Sequence, residues 1–248
     1  MSIRHGMASA LLLGLVLSCT STTAQETQEP RVLVFSKTAA YRHASIEPGI
    51  AALTGRAAQE GVGLDATEDA GAFTGENLSR YAAVVFLSTT GDVLDPVQQG
   101  ALEAFIHAGG GFVGIHSASD TEYDWPWYGE LVGAYFDGHP PGIHDATLHV
   151  ADADHPATAS LPDPWMRADE WYDLRDLQPG ISVLLDIDET TYKSPTENPA
   201  PDPRPIAWYR EFDGGRTFYT ALGHTSESWS DAPFVEHVWG GLTWVLGS

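Results

Sequence analysis

The feature that most constrains this chain is a set of short apolar runs that do not alternate with polar residues, each followed by a polar loop and a capped amphipathic stretch. Residues 31–35 read Arg-Val-Leu-Val-Phe, residues 81–87 Tyr-Ala-Ala-Val-Val-Phe-Leu and residues 112–115 Phe-Val-Gly-Ile. A strand that is apolar on both faces has to be covered on both, as in the centre of a parallel sheet. After the first run come a polar loop over residues 36–47 and an amphipathic stretch over residues 48–60 that ends at Gly61; residues 63–67 form a weaker strand. The segment 95–108 marks its own ends. Asp95 can cap, Pro96 suits the first helical position, Gln98 can complete a capping box and Gly109 stops the helix. This alternation predicts a mostly parallel sheet with helices on both faces.

Beyond Asp120 the texture changes. Residues 146–150, 181–187, 206–212 and 216–221 read as strands, with Asp213-Gly214-Gly215 as a hairpin turn. Residues 232–246 place Phe234, Val238, Leu242 and Val245 at helical spacing, which predicts a last helix packed on the sheet. The segment 193–205, with Pro195, Pro199, Pro201, Pro203 and Pro205, reads as an irregular surface excursion.

The first thirty residues stand apart. Arg4 and His5 precede an apolar run over residues 7–17, too short to span a bilayer but suited to an export signal. Val16-Leu17-Ser18-Cys19 resembles a bacterial lipoprotein signal, in which Cys19 carries the lipid; Thr22-Thr23-Ala24 offers ordinary cleavage instead. Both readings predict an exported protein, periplasmic or at the cell surface, with residues 1–30 as signal and tether and 31–248 as one folded domain. Cys19 is the only cysteine, so the domain has no disulfide, thiolate metal site or cysteine nucleophile. Its chemistry has to come from histidine, carboxylates, hydroxyls or a metal. The formal net charge of −22 repels nucleic acid and excludes it as an expected partner. The same charge keeps an exported protein soluble and names no substrate.

In open α/β sheets, ligands gather at the carboxyl ends of the strands. The loops after residues 35, 87, 115 and 221 are therefore expected to converge. They carry Tyr41, His43 and Ser45; Ser88, Thr89, Thr90 and Asp92; His116, Ser117, Ser119 and Asp120; and His224, Thr225, Ser226 and Glu227. One histidine after a strand is usually a hydrogen-bonded structural residue, but here three follow three strands. His139 and the run Glu170-Trp171-Tyr172 are further candidates that no periodicity places. Tyr123, Trp125, Trp127 and Tyr128 follow the His116 turn, and Trp171, Tyr172 and Trp229 flank other loops. Such rings either cover the C–H faces of a sugar or pack in the core.

Five motifs in order, "YRHASIEPG" from Tyr41, "GGGFVGIHSASD" from Gly109, "FDGHP" from Phe136, "DEWYDL" from Asp169 and "ALGHTSESW" from Ala221, resemble the trehalose-utilisation, or ThuA-like, family. The resemblance covers essentially all of residues 31–248. It implies a flavodoxin-like three-layer sandwich similar to that of class I glutamine amidotransferases. Gly114-Ile115-His116 falls where that pattern has Gly-Ile-Cys, and His224 falls where its catalytic histidine stands. Because imidazole cannot replace a thiolate in forming a glutamyl thioester, glutaminase chemistry is excluded.

Two readings of the site remain open. In one, His43, His116 and His224, with Glu170 or His139, hold a divalent metal, zinc or a similar ion, and Ser117, Asp120 or Glu227 supports it or acts as base. In the other, His116 and His224 move a proton without a metal, while Glu170 and Tyr172 orient the sugar. His116, His224, Asp120 and Glu170 are the expected catalytic residues, and Tyr41, Ser45, Ser117, Trp125, Tyr172 and Glu227 the expected substrate contacts. The resemblance implies carbohydrate metabolism, including pathways through 3-keto sugars. It leads to the expectation of an exported enzyme that hydrolyses glycosides or oxidised sugars or cleaves them by elimination. The alternative is a non-catalytic, carbohydrate-binding surface lipoprotein.

Overall fold

The computed structural model describes residues 1–3, 29–191 and 204–247. The expected signal and tether, with Cys19, and the proline-rich excursion as far as residue 203 lie outside the described residues. Chain order is β1 (Arg31–Phe35), α1 (Ile46–Glu60), β2 (Gly63–Thr67), α2 (Gly75–Leu78), β3 (Ala83–Leu87), α3 (Pro96–His107), β4 (Gly111–Ile115) and α4 (Pro126–Val132). It continues with β5 (Tyr135–Gly138), β6 (His144–Val150), β7 (Trp165–Asp169), β8 (Asp173–Arg175), β9 (Ser182–Asp188), β10 (Arg204–Phe212), β11 (Gly215–Thr220) and α5 (Ala232–Leu246).

The elements form where the sequence signals stand. β3 and β4 are buried along their whole length, as their uninterrupted apolar runs require. Gly61 ends α1 in the left-handed conformation. The box on α3 is complete: Asp95 Oδ1 accepts from the amides of Val97 and Gln98, and Gln98 Oε1 accepts from the Asp95 amide at 2.8 Å. The β10–β11 hairpin turns through Asp213 and Gly214, both at positive φ.

Among the described residues, nine strands form one sheet in the order β2-β1-β3-β4-β11-β10-β9-β6-β7. The first five are parallel, and β10, β9, β6 and β7 extend them by antiparallel pairing. The α/β sandwich is thus as expected, with a parallel half that carries the flavodoxin-like winding and an antiparallel half built from the later strands. β5 and β8 pair in a separate two-stranded ribbon. The decisive neighbour pair is β4 and β11, in register Ile115 with Thr220. It puts the turn after β4 beside the loop after β11.

Helix α5 seals the sheet under that junction. It comes so close that a Cβ on Gly240 would run into the backbone of Pro156 and Ala157, and one on Gly241 would meet the Phe218 ring. His237, fully buried on the same helix, has both nitrogens engaged. Nδ1–H donates to the Ala157 carbonyl at 2.9 Å, and Nε2 accepts from the Thr220 hydroxyl at 3.1 Å. Burial pushes its pKa down to about 3, against the upward pull of the Ala157 carbonyl.

Two predictions follow from this packing. Gly240→Ala forces backbone apart where no flexible side chain can yield, so it is expected to cost about 1–3 kcal/mol, read as a lower urea midpoint with an unchanged m-value. For His237 the sign is that of a histidine held neutral. The unfolded chain takes up a proton as pH falls below about 6.5, the native ring does not until about 3, and stability is lost across that window. The slope is up to about 1.4 kcal/mol per pH unit for one such group. His237→Gln is expected to flatten the urea midpoint between pH 6.5 and 4, and parallel curves for the two proteins would refute it.

Candidate functional site

His116 occupies the bend that follows β4. Its φ is +53°, in the left-handed region, and Ser88 at the end of the neighbouring β3 has φ +48°. Strain of this kind costs on the order of 1–3 kcal/mol and persists only where surrounding groups enforce it. Here the Tyr219 hydroxyl donates to the His116 carbonyl at 2.9 Å, Ser119 Oγ lies 2.8 Å from that hydroxyl, and the Ser88 amide donates to Ile115. The bend raises the imidazole over the strand ends.

The tautomer of His116 is set by its surroundings. Nδ1 lies 2.8 Å from the Ala221 carbonyl, which can only accept, so Nδ1 carries the proton and Nε2 of the neutral ring carries a lone pair. That lone pair faces His224 Nδ1 at 3.1 Å, the Tyr172 hydroxyl at 2.9 Å and Glu170 Oε2 at 3.5 Å. A second hydrogen bond that fixes the ring and frees the other nitrogen is the arrangement found in metal-ligating histidines.

Three further donors close around it. His224 follows β11, Glu170 follows β7 directly, and His43 lies in the loop between β1 and α1. One ligand atom from each of His43, His116, Glu170 and His224 lies within 4.8 Å of all the others. His224 Nδ1 is 3.0 Å from Glu170 Oε2. The His43 ring stands edge-on to His116 and His224, with centroids 4.7 and 5.1 Å away, and its Nδ1 is 3.3 Å from Ser117 Oγ. His139 stands outside this group. Its Nδ1–H points at the Pro140 carbonyl, 2.9 Å away, and at the outer oxygen of Glu170, 3.1 Å away. Of the two candidates for a fourth ligand, the structure brings Glu170 into the cluster and leaves His139 beside it, at the outer oxygen of Glu170.

Burial and proximity set the charges. Burial, then the neighbouring His116 and His224, push the His43 pKa down to about 3. Burial works to raise the Glu170 pKa, but the proximity of His116 and His224 outweighs it and holds the carboxyl well below the usual carboxylate range. Burial lowers the His224 pKa, and its bond to ionised Glu170 more than restores it, leaving it raised. Asp120 is raised by burial, against the pull of the Tyr123 hydroxyl at 2.6 Å and of His116. The site thus holds an ionised carboxylate, Glu170, a neutral imidazole, His43, and a second carboxyl, Asp120, whose pKa is raised.

These groups open into a cleft of about 560 Å³ lined by Tyr41, His43, Asp120, Phe136, His139, Gly142, Ile143, Glu170, Tyr172 and His224. Tyr41 and Ile143 form an exposed apolar rim. Other expected contacts lie elsewhere. Ser45 is fully buried beside the start of α1, and Ser117 lies buried beneath His43. Trp125 caps α4, bonds Glu103 through Nε1 at 3.0 Å and stacks on Trp127, so it packs against α3 and does not line the cleft. Glu227 is exposed in the turn before α5 and does not line it either. Phe136, Gly142 and Ile143 were missed as contacts, although the motif "FDGHP" marks their neighbourhood.

The charge pattern yields a prediction for the metal-free protein. Long-range ¹H–¹⁵N spectra are expected to show the His43 ring neutral from pH 8 down to about 4, while His224 gains its proton at a higher pH than an ordinary histidine. A His43 midpoint near 6.5 would contradict the buried arrangement.

Comparisons with known proteins agree with the fold. A family described as ThuA, trehalose utilisation, matches residues 31–245. The fold is similar to that of a ThuA-like protein from Bacteroides uniformis ATCC 8492, with 22% identity, a TM-score of 0.74 and coverage of 90% of this chain and 94% of that one. A ThuA-like protein from Parabacteroides merdae ATCC 43184 matches at 18% identity and a TM-score of 0.71, over 88% of this chain and 90% of that one. The cold-adapted β-galactosidase of Rahnella sp. R3 matches at 14% identity and a TM-score of 0.54, over 87% of this chain but 31% of that one. A sequence comparison with curated proteins gives no match.

Proposed function

Because the chain belongs to the ThuA, or trehalose-utilisation, family, we propose that its cleft processes a carbohydrate with the help of a divalent cation held by His43, His116, Glu170 and His224. The observation that carries the cation is the spacing of the donors. Around a tetrahedral zinc ion with bonds of about 2.0–2.1 Å, neighbouring donor atoms stand roughly 3.3 Å apart. His116 Nε2, His224 Nδ1 and Glu170 Oε2 are separated by 3.1, 3.0 and 3.5 Å, the edges of one face of such a tetrahedron. Three imidazoles and one carboxylate suit zinc and similar ions.

A bound ion of this kind polarises a carbonyl or hydroxyl oxygen, or lowers the pKa of a water molecule. The remaining roles belong to the chain. Asp120, with its raised pKa, lines the cleft and is placed to give or take a proton there. The Tyr172 hydroxyl, beside His116 Nε2 and held protonated by burial, is a fixed hydrogen-bond donor to a substrate oxygen. Tyr41, Phe136 and Ile143 give a sugar ring flat or apolar surfaces to lie on, and His139 offers a polar contact at the outer edge. Hydrolysis of a glycoside and elimination from an oxidised, 3-keto sugar both use this set. The apolar run at residues 7–17, with Cys19, supports an exported and lipid-anchored protein.

The purified protein is expected to bind about one zinc ion per chain by elemental analysis. His116→Ala should weaken both zinc affinity and turnover of a disaccharide and 3-keto-glycoside panel by at least about 100-fold. Undiminished turnover by chelator-treated, metal-free wild type would refute the role of the cation. Saturable sugar binding that survives His116→Ala, with no product from any panel member, would establish the non-catalytic alternative.

A further inference from the structure

Asp169 precedes Glu170 at the end of β7, does not line the cleft, and its side chain is fully buried. One oxygen, Oδ1, accepts from the amides of Glu170 at 3.0 Å and His224 at 3.1 Å. The other, Oδ2, accepts from the Gly223 amide at 3.0 Å and from Arg167 Nη2 at 3.0 Å. A single carboxylate thus ties β7, from the antiparallel half of the sheet, to the loop after β11, and the residues it grips by their backbones are two that face each other across the cluster.

Arg167 completes the arrangement. Its guanidinium lies between the rings of Trp165 and Phe234, 4.7 and 4.8 Å from their centroids, and Nη2 also donates to Ser228 Oγ at 2.9 Å. Nη1 is 3.8 Å from the Asp231 carboxylate, at the start of α5. Two of its nitrogens have no hydrogen-bond partner, so the charge is held by aromatic faces and carboxylates. Burying a carboxylate and a guanidinium is costly unless the geometry is enforced, and here it is enforced from β7, the turn before α5, and the loop after β11.

We propose that Asp169, braced by Arg167, is a positioning residue. It locks the backbones of Glu170 and His224 so that Glu170 Oε2 and His224 Nδ1 are presented to His116 before any ligand arrives. The lock acts on the polypeptide itself and needs no ion; its effect on cation affinity rests on the function proposed above. Neither residue lines the cleft, so neither is expected to touch substrate.

Asp169→Asn tests this, because an amide keeps the shape but turns an NH₂ toward either the amides of Glu170 and His224 or those of Gly223 and Arg167. In the metal-free protein, hydrogen exchange at the Glu170, Gly223 and His224 amides is expected to quicken by at least about tenfold more than at β1 and β3, which report global stability. Zinc affinity should fall by about 10- to 100-fold, and the visible absorption bands of the Co²⁺-loaded protein should shift. Gly240→Ala, destabilised far from the cluster, should leave affinity and spectrum unchanged. Where the single variant does not fold because Arg167 is orphaned, Arg167→Met/Asp169→Asn compared with Arg167→Met alone isolates the lost acceptor. Exchange at the three amides that rises only in step with β1 and β3, or a wild-type zinc affinity and Co²⁺ spectrum in Asp169→Asn, overturns the proposal. Selective exchange in a protein whose wild type binds no zinc upholds the lock and sinks the cation.

Discussion

The hydrogen bond from His116 to the Ala221 carbonyl joins positions 105 residues apart in the chain, and the site depends on it. It exists because β11 returns to lie parallel to β4, with Thr220 opposite Ile115. Without that pairing, His116 would be a strained histidine at a turn, free to take either tautomer. With it, Nδ1 is committed to the backbone, Nε2 is bare, and His224 is delivered three residues beyond Ala221 to meet it. The long excursion between β4 and β11 contributes the antiparallel half of the sheet and, at the end of β7, Glu170.

Much of the parallel half could be read directly. Uninterrupted apolar runs, a capping box and a terminal glycine are local devices whose physics acts within a few residues, so β1, β3, β4 and α3 stand where they point. The three strand-end histidines were legible for the same reason, since a parallel sheet fixes where its carboxyl ends gather. Glu170 was a candidate without a place. β7 is short, follows Pro164 and alternates buried Trp165 with exposed Met166, a pattern too brief to announce an edge strand. Trp125 and its neighbours misled in the other direction. They pack against α3 and the Phe86–Phe112 core through the short helix α4, which seven residues with an internal Gly129 do not signal. Asp169 opens the motif "DEWYDL" but gives no sign of its role there, because that role is defined by amides that come together only in three dimensions.

Buried polar groups separate by the kind of partner they have. Glu122 is buried and spends its carboxylate on the amides of Val93 and Leu94 and on Gln99, and His237 spends both nitrogens on Ala157 and Thr220. These partners are fixed parts of the fold, and releasing any of them would leave an orphaned donor or acceptor inside the protein. Glu170, His116 and His224 are satisfied chiefly by one another at the edge of a cleft. An incoming ligand can replace those mutual bonds with its own, which makes the cluster a site where the other two are only structure.

The elbow after β4 sharpens the contrast. A thiol there would end one atom beyond Cβ, close to the strand ends and usable as a nucleophile against a carbonyl held nearby. An imidazole on the same left-handed bend carries its free nitrogen further out, past the reach of a nucleophile's oxyanion geometry and into the space where Glu170 arrives from the other half of the sheet. The strain at His116 thus serves a different end: the bend does not hold up a thiol but sets an imidazole nitrogen among the donor atoms of a His/Glu cluster. The other donors come from His43, His224 and Glu170, so the chemistry available to this fold is set less by the elbow residue alone than by which distant strand the chain brings up to face it.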